Sequence, residues 1–439
     1  MKIAVVGGGS TYTPELVEGF ARLSGPARPA GTVGPLGGLE VGELVLIDPA
    51  ADRLAVIGPF AARILARYGH PGRVTWTSDV DTGLADADVV LIQLRVGGQA
   101  ARISDETFPL DCGCVGQETT GAGGLAKALR TVPVVLDIAA RAARVARPGA
   151  WIIDFTNPVG IVTRALLDAG HRAVGLCNVA IGLQRRFARM LDVEESAVVL
   201  DHVGLNHLTW ERGVYVDGVD RLPQLLAGHL DELAGEVELP AEVLRTLGCV
   251  PSYYLRYFYC HDLVVRAQRG AGTRGQRVAE IEAELLRAYA DPALDTKPAL
   301  LAERGGAYYS EAAVGLIAAL YGSATLDGSA GGGGVHAVDL RNNGTLSFLP
   351  DDAVIEVSCR VDQRGPAPLG VGAVAAELAG LISHVAGYEE LAVQAAVHGG
   401  RERVYRALLA HPLVGQHEIA DALADTLLAA NAAHLSWAR

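Results

Sequence analysis

Hydrophobic positions in the first third of the chain form short β-branched runs separated by longer segments with helical periodicity. The runs lie at residues 3–6, 44–47, 89–94 and 151–155. Runs that are apolar at successive positions are typical of strands buried on both faces of a parallel sheet. Their alternation with helices predicts an α/β fold with a doubly wound sheet of the Rossmann type.

The pattern becomes less regular after residue 176, where tyrosine-rich and long Ala/Leu/Glu-rich helical segments follow. The chain has 439 residues, and single domains usually have roughly 100–200. We therefore predict two domains, a doubly wound domain over residues 1–176 and a mixed α/β C-terminal domain over 177–439. Gly/Pro-rich tracts at 24–42 and 322–334 predict enlarged surface loops.

Composition narrows the classes of partner. Lys plus Arg number 37 against 50 for Asp plus Glu, which gives a net charge of −13. This charge disfavours nucleic acid and anionic membranes, whereas a few local arginines can still bind a small anionic substrate. The six cysteines are too sparse for a disulfide framework, and we find neither a signal peptide nor a membrane span. We expect a cytoplasmic protein.

A glycine-rich turn follows the first predicted strand. Gly7 and Gly9 occupy the first two positions of a G-x-G-x-x-G motif, and Tyr12 stands at the third. Glycines let the backbone approach a pyrophosphate at a helix N-terminus, and Asp48, which ends the second strand, can accept ribose hydroxyls and repel a 2′-phosphate. The turn therefore predicts NAD rather than NADP, with an ordinary Gly-rich turn as the alternative. The predicted cofactor-binding residues are Gly7, Gly9, Ser10, Thr11 and Asp48.

Polar motifs also follow the third and fourth predicted strands, at the sheet edge where doubly wound folds bind ligands. Arg95 begins an RVGG motif, and Asn157 lies in a TNP motif. A polar, glycine-rich loop at 116–124 precedes a helix predicted at 125–146. These motifs indicate ligand contact, although a capped loop–helix junction explains the loop equally well.

A thiol, an imidazole and a tyrosine cluster occur later in the chain. A Cys177 thiolate and a neutral His207 imidazole can hold a divalent transition metal and leave positions for substrate oxygens. Taken alone, the cysteine also fits a small buried apolar residue, and the histidine fits a hydrogen-bonded core position. Tyr254 and Tyr257 share a helix face, which is typical of core packing. Spacing does not decide between these interpretations.

Several motifs together resemble a known family. Their order is GGGSTYTPE, RVGG, GQETTGAGG, TNPVGIVT, GLCN, GLNHL, YLRY, TRGQ, RGGAYYSEAA, NNGTLSFLPDDAVIEV and AHPLVG. This order resembles the NAD- and metal-dependent glycoside hydrolases of family 4, from residue 1 to about residue 435. The resemblance implies a first domain similar to that of lactate and malate dehydrogenases. It also implies a C-terminal domain that binds metal and substrate and forms a homodimer or homotetramer.

The resemblance implies roles for individual residues. Cys177 and His207 would be ligands of Mn²⁺ or another divalent metal, and Tyr254 would be the catalytic base. Arg95 and Arg274 would surround a sugar 6-phosphate. Two asparagines complete the set: Asn157 would lie at the sugar–nicotinamide junction, and Asn178 indicates the β-glucoside branch of the family.

The implied activity is hydrolysis of 6-phospho-β-glucosides. It would proceed by NAD-mediated oxidation at C3, deprotonation at C2, elimination and addition of water. Members of other specificity, for α-glycosides or uronides, remain an alternative. A 2-hydroxy-acid dehydrogenase is another, but the late His398-Gly399 pair lacks the pattern of its catalytic histidine. A non-catalytic NAD-binding protein would have no use for the thiol, imidazole and phenol together.

Overall fold

A computed structural model describes residues 1–24, 39–306, 308–322 and 334–438. The two predicted enlarged loops lie mostly outside these ranges. Within them, residues 39–42 lead directly into a strand, and Gly334 begins another strand rather than ending a loop.

The first half of the chain forms the predicted Rossmann-type sheet. Six parallel strands lie in the spatial order 3-2-1-4-5-6, which is the order of a doubly wound dinucleotide-binding fold. They are β1 (Lys2–Val6), β2 (Glu43–Ile47), β3 (Arg73–Thr77), β4 (Val89–Ile92), β5 (Trp151–Asp154) and β6 (Ala173–Gly175). The central strands are almost fully buried because helices cover both faces. The predicted fold class is confirmed.

Helices connect these strands. They are α1 (Thr13–Leu23), α2 (Ala51–Arg67), α3 (Val80–Leu84), α4 (Gly98–Asp111), α5 (Gly121–Val145), α6 (Val159–Asp168) and α7 (Val179–Leu191). Helix α5 begins at Gly121, four residues before the predicted start. A Cβ on Gly123 would lie 2.3 Å from the carbonyl oxygen of Gln117. Glycines that predict a loop therefore serve here for close packing within a helix.

The second half extends the same sheet with antiparallel strands. These are β7 (Val198–Leu205), β8 (Leu208–Val216), β9 (Val219–Asp220), β10 (Val250–Pro251), β11 (Gly334–Arg341), β12 (Val354–Asp362) and β13 (Gly365–Pro368). Beyond β6 the order is β11-β12-β7-β8-β10, and Asp339 of β11 pairs with Gly175 of β6. The sheet is therefore continuous across the domain boundary predicted at residue 176.

The remaining helices complete the core. They are α8 (Leu222–Gly228), α9 (Leu230–Val237), α10 (Ala241–Leu247), α11 (Arg256–Tyr259), α12 (His261–Gln268), α13 (Arg274–Tyr289), α14 (Tyr309–Tyr321), α15 (Ala376–His398), α16 (Arg401–Ala410) and α17 (His417–Asn431). Helices α15 and α17 pack on α5, so the end of the chain reaches the first half. None of the helices described has both the length and the apolar character needed to cross a membrane.

Candidate active site

The glycine turn after β1 is closed by Asp48. The backbone N–H of Gly9 donates to Asp48 Oδ2 at 3.0 Å, and the N–H of Ala50 donates to Oδ1 at 2.9 Å. A Cβ on Gly9 would lie 2.7 Å from Asp48 Cγ, and Gly7 has a φ of +87°. Glycine is therefore needed at both positions. The carboxylate lies beside the turn at the carboxyl ends of β1 and β2, where an adenine ribose fits.

A partly buried arginine that was not predicted from the sequence lies against this turn. Arg304 Nε donates to Thr11 Oγ1 at 2.7 Å, and its Nη2 lies 3.3 Å from Ser10 Oγ. The same guanidinium pairs with Glu282 at 3.0 Å. The cation thus lies beside two predicted cofactor-binding residues, where it favours an anionic group. Its signal was the RGGAYYSEAA motif, which the sequence analysis quoted without assigning a residue.

Cys177 lies between β6 and α7. The backbone N–H groups of Asn178 and Val179, at the start of α7, point at its sulfur. Burial, with a smaller contribution from Glu356, raises the pKa of the thiol well above its ordinary value. A neighbouring divalent cation would favour the thiolate instead, as metal sites do. Asn178 lies directly beside this sulfur as the residue before α7.

His207 forms the tight turn between β7 and β8, where it has a φ of +64°. Burial lowers the pKa of its imidazole to about 3, so the ring is neutral, as a metal ligand must be. Its Nδ1 atom is buried and has no hydrogen-bond partner among the residues described. A buried nitrogen without a partner is costly unless a ligand satisfies it.

Tyr254 lies near both Cys177 and His207. It lies in a short 3-10 helix, Tyr253–Leu255, and its ring stacks on that of His207 with centroids 3.7 Å apart and an interplanar angle of 8°. Burial is the main cause that raises the pKa of its phenol well above 10.0, and the Cys177 sulfur contributes. The structure thus brings together a sulfur, an imidazole and a phenol from residues that span 77 positions of the sequence.

The donor set fits a metal held by two protein ligands. Across the described ranges, no group of three or more His, Cys, Asp or Glu side chains is arranged to hold an ion. A thiolate and a neutral imidazole suit a divalent transition metal, and the unsatisfied His207 nitrogen provides a ready ligand atom. Further coordination positions would stay open to oxygens of a substrate.

A second tyrosine, without an assigned role in the sequence analysis, connects the thiol to Asn157. The side chain of Tyr309 hydrogen-bonds that of Asn157, and Cys177 contributes to the raised pKa of its phenol after burial. Its ring meets Phe155 edge to face at 5.6 Å and Tyr12 at 6.2 Å. Tyr309 therefore links the glycine turn, the predicted sugar–nicotinamide junction and the thiol.

Arg95 belongs to a buried charge cluster. Its guanidinium pairs with Glu118, which also accepts from Lys127 Nζ at 2.6 Å and lies 3.2 Å from Arg102 Nε. Burial lowers the pKa of Lys127 to about 7, and the cations hold the pKa of Glu118 well below its usual range. Arg102 also pairs with Glu106 at 2.8 Å, so three basic side chains face two carboxylates, and Arg95 is the most exposed of the three. Sequence reasoning marked the GQETTGAGG loop without selecting Glu118.

Arg274 is the first residue of α13, after Thr273, which caps the helix. It is exposed and donates to the carbonyl oxygen of Glu303. A Cβ on Gly305 would lie 3.6 Å from its Nη2, so Arg274 is next to the segment that carries Arg304. Arg304 in turn interacts electrostatically with Arg95. Arg304 therefore directly follows Glu303, the residue that Arg274 contacts, and its charge repels that of Arg95.

A buried network braces the turn that carries His207. Glu356 of β12 contacts His202 Nε2 at 2.9 Å and accepts from Asn206 Nδ2 at 2.9 Å. His202 Nδ1 contacts Glu211 at 2.7 Å. The two carboxylates raise the pKa of His202 to about 10, despite the opposing effect of burial, so it is an imidazolium. Nothing in the local sequence indicated this network, because its members lie on three strands.

Family models and known proteins match this chain over nearly its whole length. Two family models match, Family 4 glycosyl hydrolase over residues 2–193 and Family 4 glycosyl hydrolase C-terminal domain over residues 202–414. A "Probable 6-phospho-beta-glucosidase" of Bacillus subtilis (strain 168) is 37% identical, with 99% of this chain and 97% of the relative covered. The 6-phospho-beta-glucosidase of Escherichia coli (strain K12) is 34% identical, with 100% of this chain and 96% of the relative covered.

Solved structures give the same result. A 6-phospho-beta glucosidase from Thermotoga maritima, solved with NAD and glucose-6-phosphate, has a TM-score of 0.89 and 31% identity, with 99% of each chain covered. A malate dehydrogenase from Salinibacter ruber has a TM-score of 0.51 at 17% identity over 90% of this chain and 97% of its own, which shows a shared fold alone. The chain therefore belongs to glycosyl hydrolase family 4.

Proposed function

We propose that this enzyme hydrolyses 6-phospho-β-glucosides with NAD and a divalent metal such as Mn²⁺. The observation that carries the proposal is the convergence of Cys177, His207 and Tyr254 at one place, with Tyr309 connecting it to Asn157. The names of the relatives support the substrate class. The Thermotoga maritima structure with manganese, NAD+ and glucose-6-phosphate supports the cofactors.

The cofactors would supply chemistry that the side chains lack: bound NAD takes hydride from C3 and later returns it, and the metal polarises the sugar oxygens. Cys177 and His207 would hold the metal, and residues 7–11 with Asp48 would hold the dinucleotide. Tyr254 Oη would remove the proton from C2, which a C3 ketone acidifies. The stacked His207 ring fixes the tyrosine in place and excludes water from one of its faces.

The three arginines would select the phosphorylated sugar. Arg95 and Arg274 would bind the 6-phosphate by charge-assisted hydrogen bonds, and Arg304, which pairs with Glu282, would add positive potential near Arg95. The ion pair with Glu118 holds the Arg95 guanidinium in place, and Arg95 is exposed enough to reach a phosphate oxygen as well. A neutral glucoside would gain nothing from this potential, so we propose that the phosphate is required.

The predicted specificity for β-glucosides rests on Asn178 and on the sequence identities of the relatives. The 6-phospho-beta-glucosidases are 32–37% identical to this chain. The Maltose-6'-phosphate glucosidase of Fusobacterium mortiferum is 24% identical. We further propose that residues 1–176 bind the dinucleotide, that residues 177–439 supply the metal site and the contacts of a homodimer or homotetramer, and that the enzyme works in the cytoplasm.

A panel of nitrophenyl glycosides tests the function. With NAD⁺, Mn²⁺ and a reducing agent, nitrophenyl 6-phospho-β-glucoside should be hydrolysed at least about 100-fold faster than the unphosphorylated glucoside, because a phosphate–arginine contact contributes several kcal/mol. The α-anomer and a glucuronide complete the panel. Preference for the α-anomer would contradict the role of Asn178, and equal rates without phosphate would contradict the role of the arginines.

Asp48→Ala should weaken NAD binding by about tenfold or more, because the ribose loses its acceptor and the Gly9 N–H loses its partner. Discrimination against NADP should narrow as well, since the carboxylate no longer repels a 2′-phosphate. Calorimetric titration with both dinucleotides measures this. Asp52→Ala, at an exposed position in α2, is the matched control. Unchanged NAD affinity in Asp48→Ala would show that the dinucleotide binds elsewhere.

A further inference from the structure

The AHPLVG motif near the end of the chain has no part in the site described so far, yet its histidine reaches that site. His411 follows helix α16 and is 2% exposed. Its Nε2 accepts the backbone N–H of Gly121 at 3.1 Å across 290 positions of sequence. Gly121 begins α5 directly after the loop that carries Glu118. The last helices of the chain therefore hold this loop by a hydrogen bond.

The same segment contacts the helical turn that carries Tyr254. The His411 ring stacks on Phe258 of α11 with centroids 6.3 Å apart, and meets Tyr388 edge to face at 4.3 Å. Leu413 packs in a small apolar cluster with Tyr257, and Tyr254 lies against that cluster. The short segment 411–413 thus contacts both the start of α5, next to the loop that carries Glu118, and the helical turn that carries Tyr254.

The loop transmits its position to the charged cluster because it is tightly packed. A Cβ on Gly124 would lie 2.7 Å from the carbonyl carbon of Thr119. The Thr119 N–H and hydroxyl both donate to Gln117 Oε1, at 2.7 and 3.1 Å. With so little free space, a shift at Gly121 must move the residues before it, including Glu118, which fixes Arg95.

We propose that His411 is a positioning residue of the substrate site. Its Nε2 lone pair fixes the N–H of Gly121, and through the loop it sets Glu118 and the direction of Arg95. This inference rests on the proposed function, in which Arg95 binds the 6-phosphate. His411 itself does not touch the sugar. Its loss should therefore raise KM for the phosphorylated substrate more than it lowers kcat.

The imidazole of His411 faces two backbone N–H donors, and substitutions can separate the effects of the two hydrogen bonds. Leu413 N–H faces Nδ1 at 3.0 Å, while Gly121 N–H faces Nε2. A neutral imidazole has one lone-pair nitrogen, so it accepts fully from one of the two donors. Burial lowers the pKa of His411 to about 3, which keeps the ring neutral. A Gln side chain places its oxygen near the position of Nε2, and an Asn side chain places its oxygen near that of Nδ1.

The test compares His411→Gln with His411→Asn. We expect His411→Asn to raise KM for nitrophenyl 6-phospho-β-glucoside by about tenfold, the effect of one lost buried hydrogen bond, with a smaller change in kcat. We expect His411→Gln to recover most of that loss. Exposed His417→Asn, in the next helix, is the matched control for the substitution itself.

Hydrogen exchange gives a readout independent of turnover. The amides of residues 116–124 should exchange faster in His411→Asn than in the parent or in His411→Gln, as measured by mass spectrometry without substrate. Equal exchange in all three proteins would overturn the proposal. Equal increases in KM together with equal decreases in melting temperature in both variants would also overturn it, since that result means packing alone. If the parent hydrolyses no phosphorylated glucoside, the proposed function fails, while exchange and titration with glucose 6-phosphate still decide the role of His411.

Discussion

Tyr254→Phe is expected to lower kcat by about 10²–10⁴-fold, the usual contribution of a positioned acid–base group. The phenyl ring keeps the stacking on His207, which needs no hydroxyl. The change therefore removes the proton acceptor and little else, so NAD and metal affinities should stay close to those of the parent. Exchange of the C2 hydrogen with deuterium oxide, followed by magnetic resonance of the glucose 6-phosphate produced, should be lost together with turnover.

Tyr259→Phe provides the control for this experiment. Tyr259 lies five positions later, is 36% exposed, and its hydroxyl hydrogen-bonds Trp210. We expect its turnover and C2 exchange to equal those of the parent. If Tyr254→Phe kept full C2 exchange, another group would be the base. Tyr309, the other tyrosine near Cys177, would then be the residue to replace next.

Local sequence signals predicted most of the sheet in the first half of the fold. The apolar runs predicted four of the six parallel strands within about two residues, because a strand buried on both faces leaves a continuous apolar run. Strand β3 was missed because it lies at the sheet edge, where Arg73 and Trp76 are exposed. The glycine turn could be predicted because its positive φ and close contacts require glycine, and this requirement is visible in the local sequence.

Only part of the candidate active site could be predicted from the sequence. Cys177, His207 and Tyr254 were selected by resemblance, while their proximity depends on the antiparallel strands β7, β8 and β12 joining the sheet beyond β6. No local pattern encodes that addition. Arg304, at the end of a short 3-10 helix, and Glu118, in a polar loop, were overlooked because the local sequence gives no sign of their ion-pair partners. Their importance appears when the surrounding charges are seen in space.

The thiol and the imidazole must both bind a metal without a proton on the ligating atom, but their protonation states differ in the metal-free protein. Burial lowers the pKa of His207 to about 3, so its ring is already in the ligating form at neutral pH. Burial raises the pKa of Cys177 well above 9.0, so its sulfur still carries a proton. Metal binding must therefore displace a proton from the sulfur and none from the imidazole. The affinity for Mn²⁺ should rise with pH throughout the range below the thiol pKa, by about tenfold per pH unit.

Cys177→Ser should remove both the tight binding and its pH dependence. A hydroxyl does not ionise in this range and is a poorer ligand for a transition metal, so we expect Mn²⁺ affinity to fall by about 100-fold or more, with metal-dependent turnover lost. NAD affinity should be nearly unchanged, because the glycine turn and Asp48 form their contacts without the thiol. Paramagnetic resonance titration of Mn²⁺ between pH 6 and about pH 8 measures the slope, and calorimetry measures NAD. Cys249→Ser, at another buried cysteine, controls for the loss of a thiol from the core. A Cys177→Ser protein that bound Mn²⁺ as tightly as the parent, with the same pH slope, would mean that the proton is released by another group and that this sulfur is not a ligand.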